Sequence, residues 1–179
     1  MAILRMSIWL VLAAAAAESP IIARRPAEPV PEAQVIASFL YNMTLFVEWP
    51  SSNPPTPRVL IGVVGADDVV NALRSVEGRR VRGREIVVRA LRAGDDPLEC
   101  QILFLPQLGR GNQPWLVATE GQPVLTVGDD EHFIRSGGMV RLYFEQSRLR
   151  FDINVKRAAS AQLRISSKVL GLARTTGTD

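Results

Sequence analysis

From Pro31 onward, apolar residues recur at intervals of three and four: Val35, Ile36, Phe39, Leu40, Met43, Phe46 and Val47. That spacing predicts a helix, with Pro31 suited to its first turn. The pair Trp49-Pro50 ends it, because a residue preceding proline is pushed out of the helical region. Pro50 to Pro57 holds four prolines in eight residues, a stiff connection. Short β-type runs follow: Val59 to Val64, Glu85 to Leu91, Gln101 to Leu105, Val124 to Val127, Met139 to Phe144 and Leu149 to Asn154. Asp67-Asp68 ahead of Val69 to Leu73, and Asp129-Asp130-Glu131 ahead of Phe133 and Ile134, predict helix starts, since carboxylates cap the positive end of a helix. Strands alternating with helices predict an α/β fold, a single three-layer domain with a mainly parallel sheet flanked by helices. Only Glu145 to Arg148 separate the last two runs, which predicts a C-terminal antiparallel hairpin. Helical patterns over Val155 to Leu163 and Ile165 to Ala173 close the chain, and Thr175 to Asp179 is expected to fray.

The N-terminus carries a different pattern. Arg5, the largely apolar run Met6 to Leu12 and the small residues Ala13 to Ala17 have the layout of a secretory signal, cleaved near Ala17. The apolar stretch falls short of the roughly 20 residues that span a bilayer. Glu18 to Pro31, with Pro20, Pro26, Pro29, Pro31 and the pair Arg24-Arg25, reads as an extended leader. The expected organisation is therefore signal peptide 1–17, leader 18–31, α/β domain 32–174 and tail 175–179.

Composition narrows the chemistry. With 179 residues, 47% hydrophobic and 22% charged, the chain is globular rather than disordered. One His and one Cys exclude a two-imidazole site, a Cys/His zinc site and an intramolecular disulfide. Cys100 opens an apolar strand, so it is either a buried hydrophobe or half of an intermolecular bridge. Gly62-Val63-Val64-Gly65 lacks the third glycine and the spacing of a dinucleotide fingerprint, and reads as a tight strand-to-helix turn. No phosphate-binding loop of the GxxxxGK[ST] type occurs, and only Lys156 and Lys168 among 21 basic residues are lysines. His132 has Ser136 and Ser147 nearby in sequence, but no GxSxG elbow surrounds any serine. Glu48, Asp129 and Asp152 are carboxylates that a pairwise acid/base mechanism would have to bring together, and nothing in their spacing does so.

Two charged stretches remain. Arg79-Arg80-Val81-Arg82-Gly83-Arg84 is the densest positive run; without interleaved aromatic residues it reads as a solvated loop or an acidic-partner surface rather than a nucleic-acid site. In Arg148 to Asn154, strict alternation sends Leu149, Phe151 and Ile153 to the core and Arg148, Arg150, Asp152 and Asn154 to the opposite face, as a solvated surface or a binding row. Ile165-Ser166-Ser167-Lys168 places two hydroxyls at a helix start, where Ser166 either caps the helix or meets a ligand.

Several fragments fall in an order that resembles the YfiR family of small periplasmic regulators. They are Phe39-Leu40-Tyr41-Asn42, Phe46-Val47-Glu48-Trp49-Pro50, Gly83-Arg84-Glu85-Ile86-Val87-Val88, Cys100-Gln101-Ile102-Leu103-Phe104, Leu125-Thr126-Val127-Gly128-Asp129, Gly137-Gly138-Met139-Val140, Arg150-Phe151-Asp152-Ile153-Asn154 and Ile165-Ser166-Ser167-Lys168-Val169-Leu170. They span about Ala33 to Ala173. The resemblance implies a periplasmic, non-enzymatic domain without cofactor or metal that binds the periplasmic part of an inner-membrane diguanylate cyclase (YfiN-like), holds it inactive and lowers cyclic di-GMP, and so affects biofilm behaviour. In the better understood members an outer-membrane lipoprotein (YfiB-like) sequesters the regulator, and a homodimer is expected. Disulfides found in some members are unavailable to this chain. The expected partner-binding residues are Glu48 and Trp49, then Arg150, Asp152 and Asn154, then Ser166, Ser167 and Lys168. A rival from another class is a small-ligand sensor using the cleft at the carboxyl ends of the parallel strands, near Gly65 and Gly128. An exported hydrolase ranks third.

Overall fold

The computed structural model describes residues 30–51, 56–107 and 112–175. The expected signal, nearly all of the leader and the last four residues lie outside the described residues. Along the chain run α1 (Glu32–Phe46), β1 (Val47–Glu48), β2 (Arg58–Val64), α2 (Asp67–Leu73), β3 (Arg80–Val81), β4 (Arg84–Leu91), β5 (Ile102–Leu105) and α3 (Gln113–Ala118). Then come β6 (Leu125–Gly128), β7 (Val140–Glu145), β8 (Arg148–Ile153), α4 (Val155–Ser160), β9 (Arg164–Ile165), α5 (Ser167–Leu170) and β10 (Arg174–Thr175). The main sheet has the order β10-β8-β7-β6-β5-β2-β4-β3, and β1 pairs with β9 as a separate ribbon. Strands β4, β2, β5, β6 and β7 run parallel, β3 pairs antiparallel with β4 and β8 antiparallel with β7, and β10 runs parallel to β8. The α/β class, the mainly parallel sheet and the hairpin of β7 and β8 are as the sequence predicts.

Both faces of the sheet are covered over its centre, which is why β2 and β5 read as nearly unbroken apolar runs. On one face Val63, Phe104, Val127, Val140 and Ile153 are neighbours strand by strand. Each is at most 1% exposed. Helix α1 lays Ile36, Leu40 and Met43 against this face, and α2 adds Val69 and Leu73. On the other face Leu60, Leu91, Leu103 and Leu105 pack with Cys100, Leu116 of α3, Val124 and Phe133. Helix α3 is an element the sequence pattern did not disclose.

Several boundaries differ from expectation for local reasons. Helix α1 stops at Phe46 rather than Trp49: Val47 turns extended, at φ −107° and ψ 140°, and the ribbon takes Val47 and Glu48 as partners of Ile165 and Arg164. Ile165 is therefore a strand residue, and the helix expected over Ile165 to Ala173 covers only Ser167–Leu170. The helix expected to Leu163 ends at Ser160, with Gln162 at φ +59° beyond it. Asp129 to Glu131 start a series of turns, not a helix. Asp130 accepts from His132 N at 2.7 Å, and the turns carry Phe133 into a slot where a Cβ on either Gly128 or Gly138 would overlap its ring. The arginine run is a hairpin rather than a loop: Arg82 and Gly83, at φ +50° and +80°, make the two-residue turn that joins β3 to β4. Thr175, assigned to the tail, lies in β10.

Candidate functional site

The predicted residues fall into three places. At the amino ends of the parallel strands, the Trp49 indole N–H donates to the Gln101 carbonyl at 3.0 Å. That carbonyl also accepts from Leu125 N at 2.9 Å, and the Gln101 side-chain oxygen accepts from Leu60 N at 2.7 Å. One glutamine thus locks the indole to β2, β5 and β6 together. Trp49 forms a wall of three open hollows, of about 340 Å³ beside Arg84 and Leu98, about 680 Å³ beside Gln162 and Arg164, and about 250 Å³ beside Val59 and Arg82. Glu48 is exposed, 3.7 Å from Arg82, whose guanidinium also donates to the Leu45 carbonyl at 2.9 Å.

A second predicted group follows the β1–β9 ribbon. Ser166 N donates to the Phe46 carbonyl at 2.9 Å; because the ribbon is antiparallel, Glu48 lies opposite Arg164, and Ser166, Ser167 and Lys168 lead away from Glu48 and Trp49. The Ser166 hydroxyl accepts from Lys168 N at 3.4 Å, which makes it the cap of α5.

The third group is elsewhere and only partly exposed. Arg150 projects from β8 with half its side chain in solvent, 3.5 Å from Glu145. Asp152 and Asn154 are buried, at 6% and 5% exposure, and do not continue an open row. Asp152 accepts from Arg141 of β7 at 3.3 Å, and Asn154 caps α4 by accepting from Arg157 N at 3.0 Å. Arg141 lies over the Tyr143 ring, 4.8 Å from its centre. Neither Arg141 nor Tyr143 was singled out in the sequence, although alternation along β7 places both on the face of Arg148, Arg150 and Asp152.

The remaining chemistry-bearing residues stay apart. His132 is exposed, with Asp130 and Glu131 carboxylates at 3.6 and 3.4 Å. Cys100 is 1% exposed, and burial pushes its thiol up to about 12. It packs against Gly62, where an added Cβ would come within 2.6 Å of the sulfur. The cleft at the carboxyl ends of β2, β5 and β6 has a volume of about 450 Å³, with Gly65, Phe104, Gln107 and Asp129 in its wall. Gly65 turns there at φ +65°, and Asp129 accepts from Gln107 N at 2.6 Å. Among the described residues no three His, Cys, Asp or Glu side chains are grouped to hold a metal, and no helix is long and apolar enough to cross a membrane.

Fold and surface together define a three-layer α/β domain whose hollows are open and whose polar side chains mostly cap, pin and pair. The family model described as YfiR/HmsC-like matches residues 33–174, and the chain belongs to that family. It is a family of periplasmic regulators connected with diguanylate cyclases. No curated protein matches the sequence significantly.

Proposed function

We propose that the chain is an exported, non-enzymatic regulator that binds the periplasmic part of an inner-membrane diguanylate cyclase and holds it inactive. The observation that carries this is the YfiR/HmsC-like match across residues 33–174. In this reading residues 1–17 are the cleaved signal, 18–31 the leader and 32–174 the regulatory domain. It acts as a homodimer, with a YfiB-like lipoprotein of the outer membrane as the sequestering partner. The Trp49 corner supports the reading, because an interface gains most from a large aromatic anchor that is already fixed before the partner arrives. Glu48 supplies its polar rim; Ser166, Ser167 and Lys168, beyond Phe46 on the ribbon, form a second contact group, and Arg150 and Asp152 belong to a third. Inhibition requires tighter binding to the inactive cyclase than to the active one; equal affinity for both would shift nothing.

Deleting the gene is expected to raise cyclic di-GMP in the parent cell, and the tagged protein is expected to co-purify with a membrane protein that carries a cyclase domain. Unchanged cyclic di-GMP, with the cyclase present and active, would overturn the proposal. A small-ligand sensor is supported by one observation, the cleft of about 450 Å³ at the carboxyl ends of the parallel strands. A thermal-shift screen against periplasmic metabolites separates the two, because a specific ligand raises the melting temperature by mass action.

A further inference from the structure

The layer that covers the second face of the sheet stops at β6. Following one row across that face, Leu105 neighbours Gly128, Gly128 neighbours Arg141, Arg141 neighbours Asp152 and Asp152 neighbours Arg174. Up to Gly128 the row lies under Phe133. Past it, the same face of β7, β8 and β10 carries Arg141, Tyr143, Glu145, Arg148, Arg150, Arg174 and the buried Asp152, four guanidinium groups against two carboxylates. One of those carboxylates, Asp152, is already engaged by Arg141. Arg148, Arg150 and Arg174 are exposed.

We propose that this face is a docking surface for an acidic, extended segment of a partner protein. The proposal rests on the reading above only in taking the chain to be a binding protein. Three observations support it. The face has a surplus of cations on rigid strands, whose alternate side chains repeat at about 6.6–7 Å, as do the alternate side chains of an extended segment laid along them. Tyr143 supplies an aromatic surface at the centre, with Arg141 stacked on it at 4.8 Å. The Arg141–Asp152 pair is incomplete: Arg141 Nε and Asp152 Oδ1 are buried without a hydrogen-bond partner, and the Asp152 side chain is only 8% exposed. A pair serving only the fold is poorly designed with orphaned atoms of this kind, whereas such breaches of local rules gather at functional sites. A lipid surface is the poorer occupant, because none of the large exposed apolar side chains among the described residues (Val30, Leu45, Leu98, Val117, Val155, Leu172) stands on these strands.

The test uses the 15N-labelled exported chain and poly-L-glutamate as the probe at low salt. Amide shifts are expected on β7 and β8 around Arg141 to Asp152, and the Arg148→Gln/Arg150→Gln variant is expected to bind about tenfold more weakly, as two exposed charge contacts of ordinary strength imply. Arg79→Gln/Arg80→Gln, in the other basic hairpin, is expected to bind as the parent does. Absence of shifts on β7 and β8, shifts that follow Arg79 and Arg80 instead, or a response to phosphatidylglycerol vesicles without one to the peptide would each overturn the proposal. Because the probe is not the cyclase, this result is independent of whether deletion of the gene changes cyclic di-GMP.

Discussion

Two rows cross the sheet one residue apart and have opposite fates. The row Val63, Phe104, Val127, Val140 and Ile153 stays apolar and dry over five strands. The row beneath it on the other face begins at Leu105, passes the glycine seat at Gly128, and becomes Arg141, Asp152 and Arg174. The same backbone ladder carries both, so the difference is set by what lies on top. Helix α1 extends over 15 residues and reaches across its face, whereas the opposite cover consists of the six-residue α3 and a turn that ends on Phe133. A short cover leaves part of the sheet bare, and a bare sheet has to be polar or used.

If Phe133 is what ends the second core, removing its ring should have the largest effect. Phe133→Ala is expected to cost about 3–5 kcal/mol in urea unfolding, the usual range for a fully buried aromatic. The slot between Gly128 and Gly138 cannot collapse easily, since both glycines already lie against the ring. A loss below about 1 kcal/mol would show that the turn is ornamental and that the second core ends elsewhere.

Past that boundary, Asp152→Ala tests whether the charged end of the row still contributes to the fold. Removing one partner of a fully buried pair costs about 3–5 kcal/mol; Arg141 keeps a quarter of its side chain in solvent, so about 2 kcal/mol is expected here. Replacing both residues together with leucine is expected to recover most of that loss, because no uncompensated charge is left. A double variant as unstable as Asp152→Ala would mean that the pair is itself stabilising.

How much of this was legible in the sequence follows the same division. The first core was legible because its residues obey simple periods: Ile36, Leu40 and Met43 on a helix, Val63 and Phe104 on strands. The hairpin was legible from its four-residue spacing. Elements made by distant pairing were not: Val47–Glu48 becomes a strand only because Arg164–Ile165 lies beside it. Helix α3 is a six-residue segment whose apolar residues, Trp115 to Ala118, are consecutive and of which only Leu116 is buried, so it shows no helical period to detect. The motifs that carried the family resemblance turn out largely to be packing devices. Gly128 and Gly138 hold Phe133, and Gly62 makes room for Cys100. Of the candidate site residues, alternation placed Asp152 on the correct face but could not show that Arg141 covers it. Nor could any local pattern show that Ser166 meets Phe46.

Cys100 sharpens the comparison from the second core. Its thiol is pushed up to about 12 by burial, against about 8.5 in an unfolded chain. Between those values the native state keeps a proton that the unfolded state has lost, so the unfolded state binds fewer protons and stability falls as pH rises. Stability should be unaffected by this group below about pH 8 and reduced by about 1–2 kcal/mol at pH 10. Urea melts at the two pH values are expected to show a smaller difference in Cys100→Ala. An equal difference in parent and variant would mean that the thiol meets water and that the second core is open on this side as well.

The smallest effect is expected where the same face has left the fold altogether. Arg148 and Arg150 project from β8, and the contact of Arg150 with Glu145 at 3.5 Å joins two side chains that are each at least half exposed. Exposed pairs of this kind contribute about 0–1 kcal/mol, and surface substitutions away from special features generally fall within about 0.5 kcal/mol. Arg148→Gln/Arg150→Gln should therefore unfold within about 0.5 kcal/mol of the parent while losing the acidic probe. That combination separates the two ends of one face: Phe133 and Gly128 hold the sheet together, and the arginines face a partner. A destabilisation as large as that of Asp152→Ala would instead place Arg148 and Arg150 inside the stabilising network, and the bare end of the sheet would be an extension of the second core rather than a surface left free for binding.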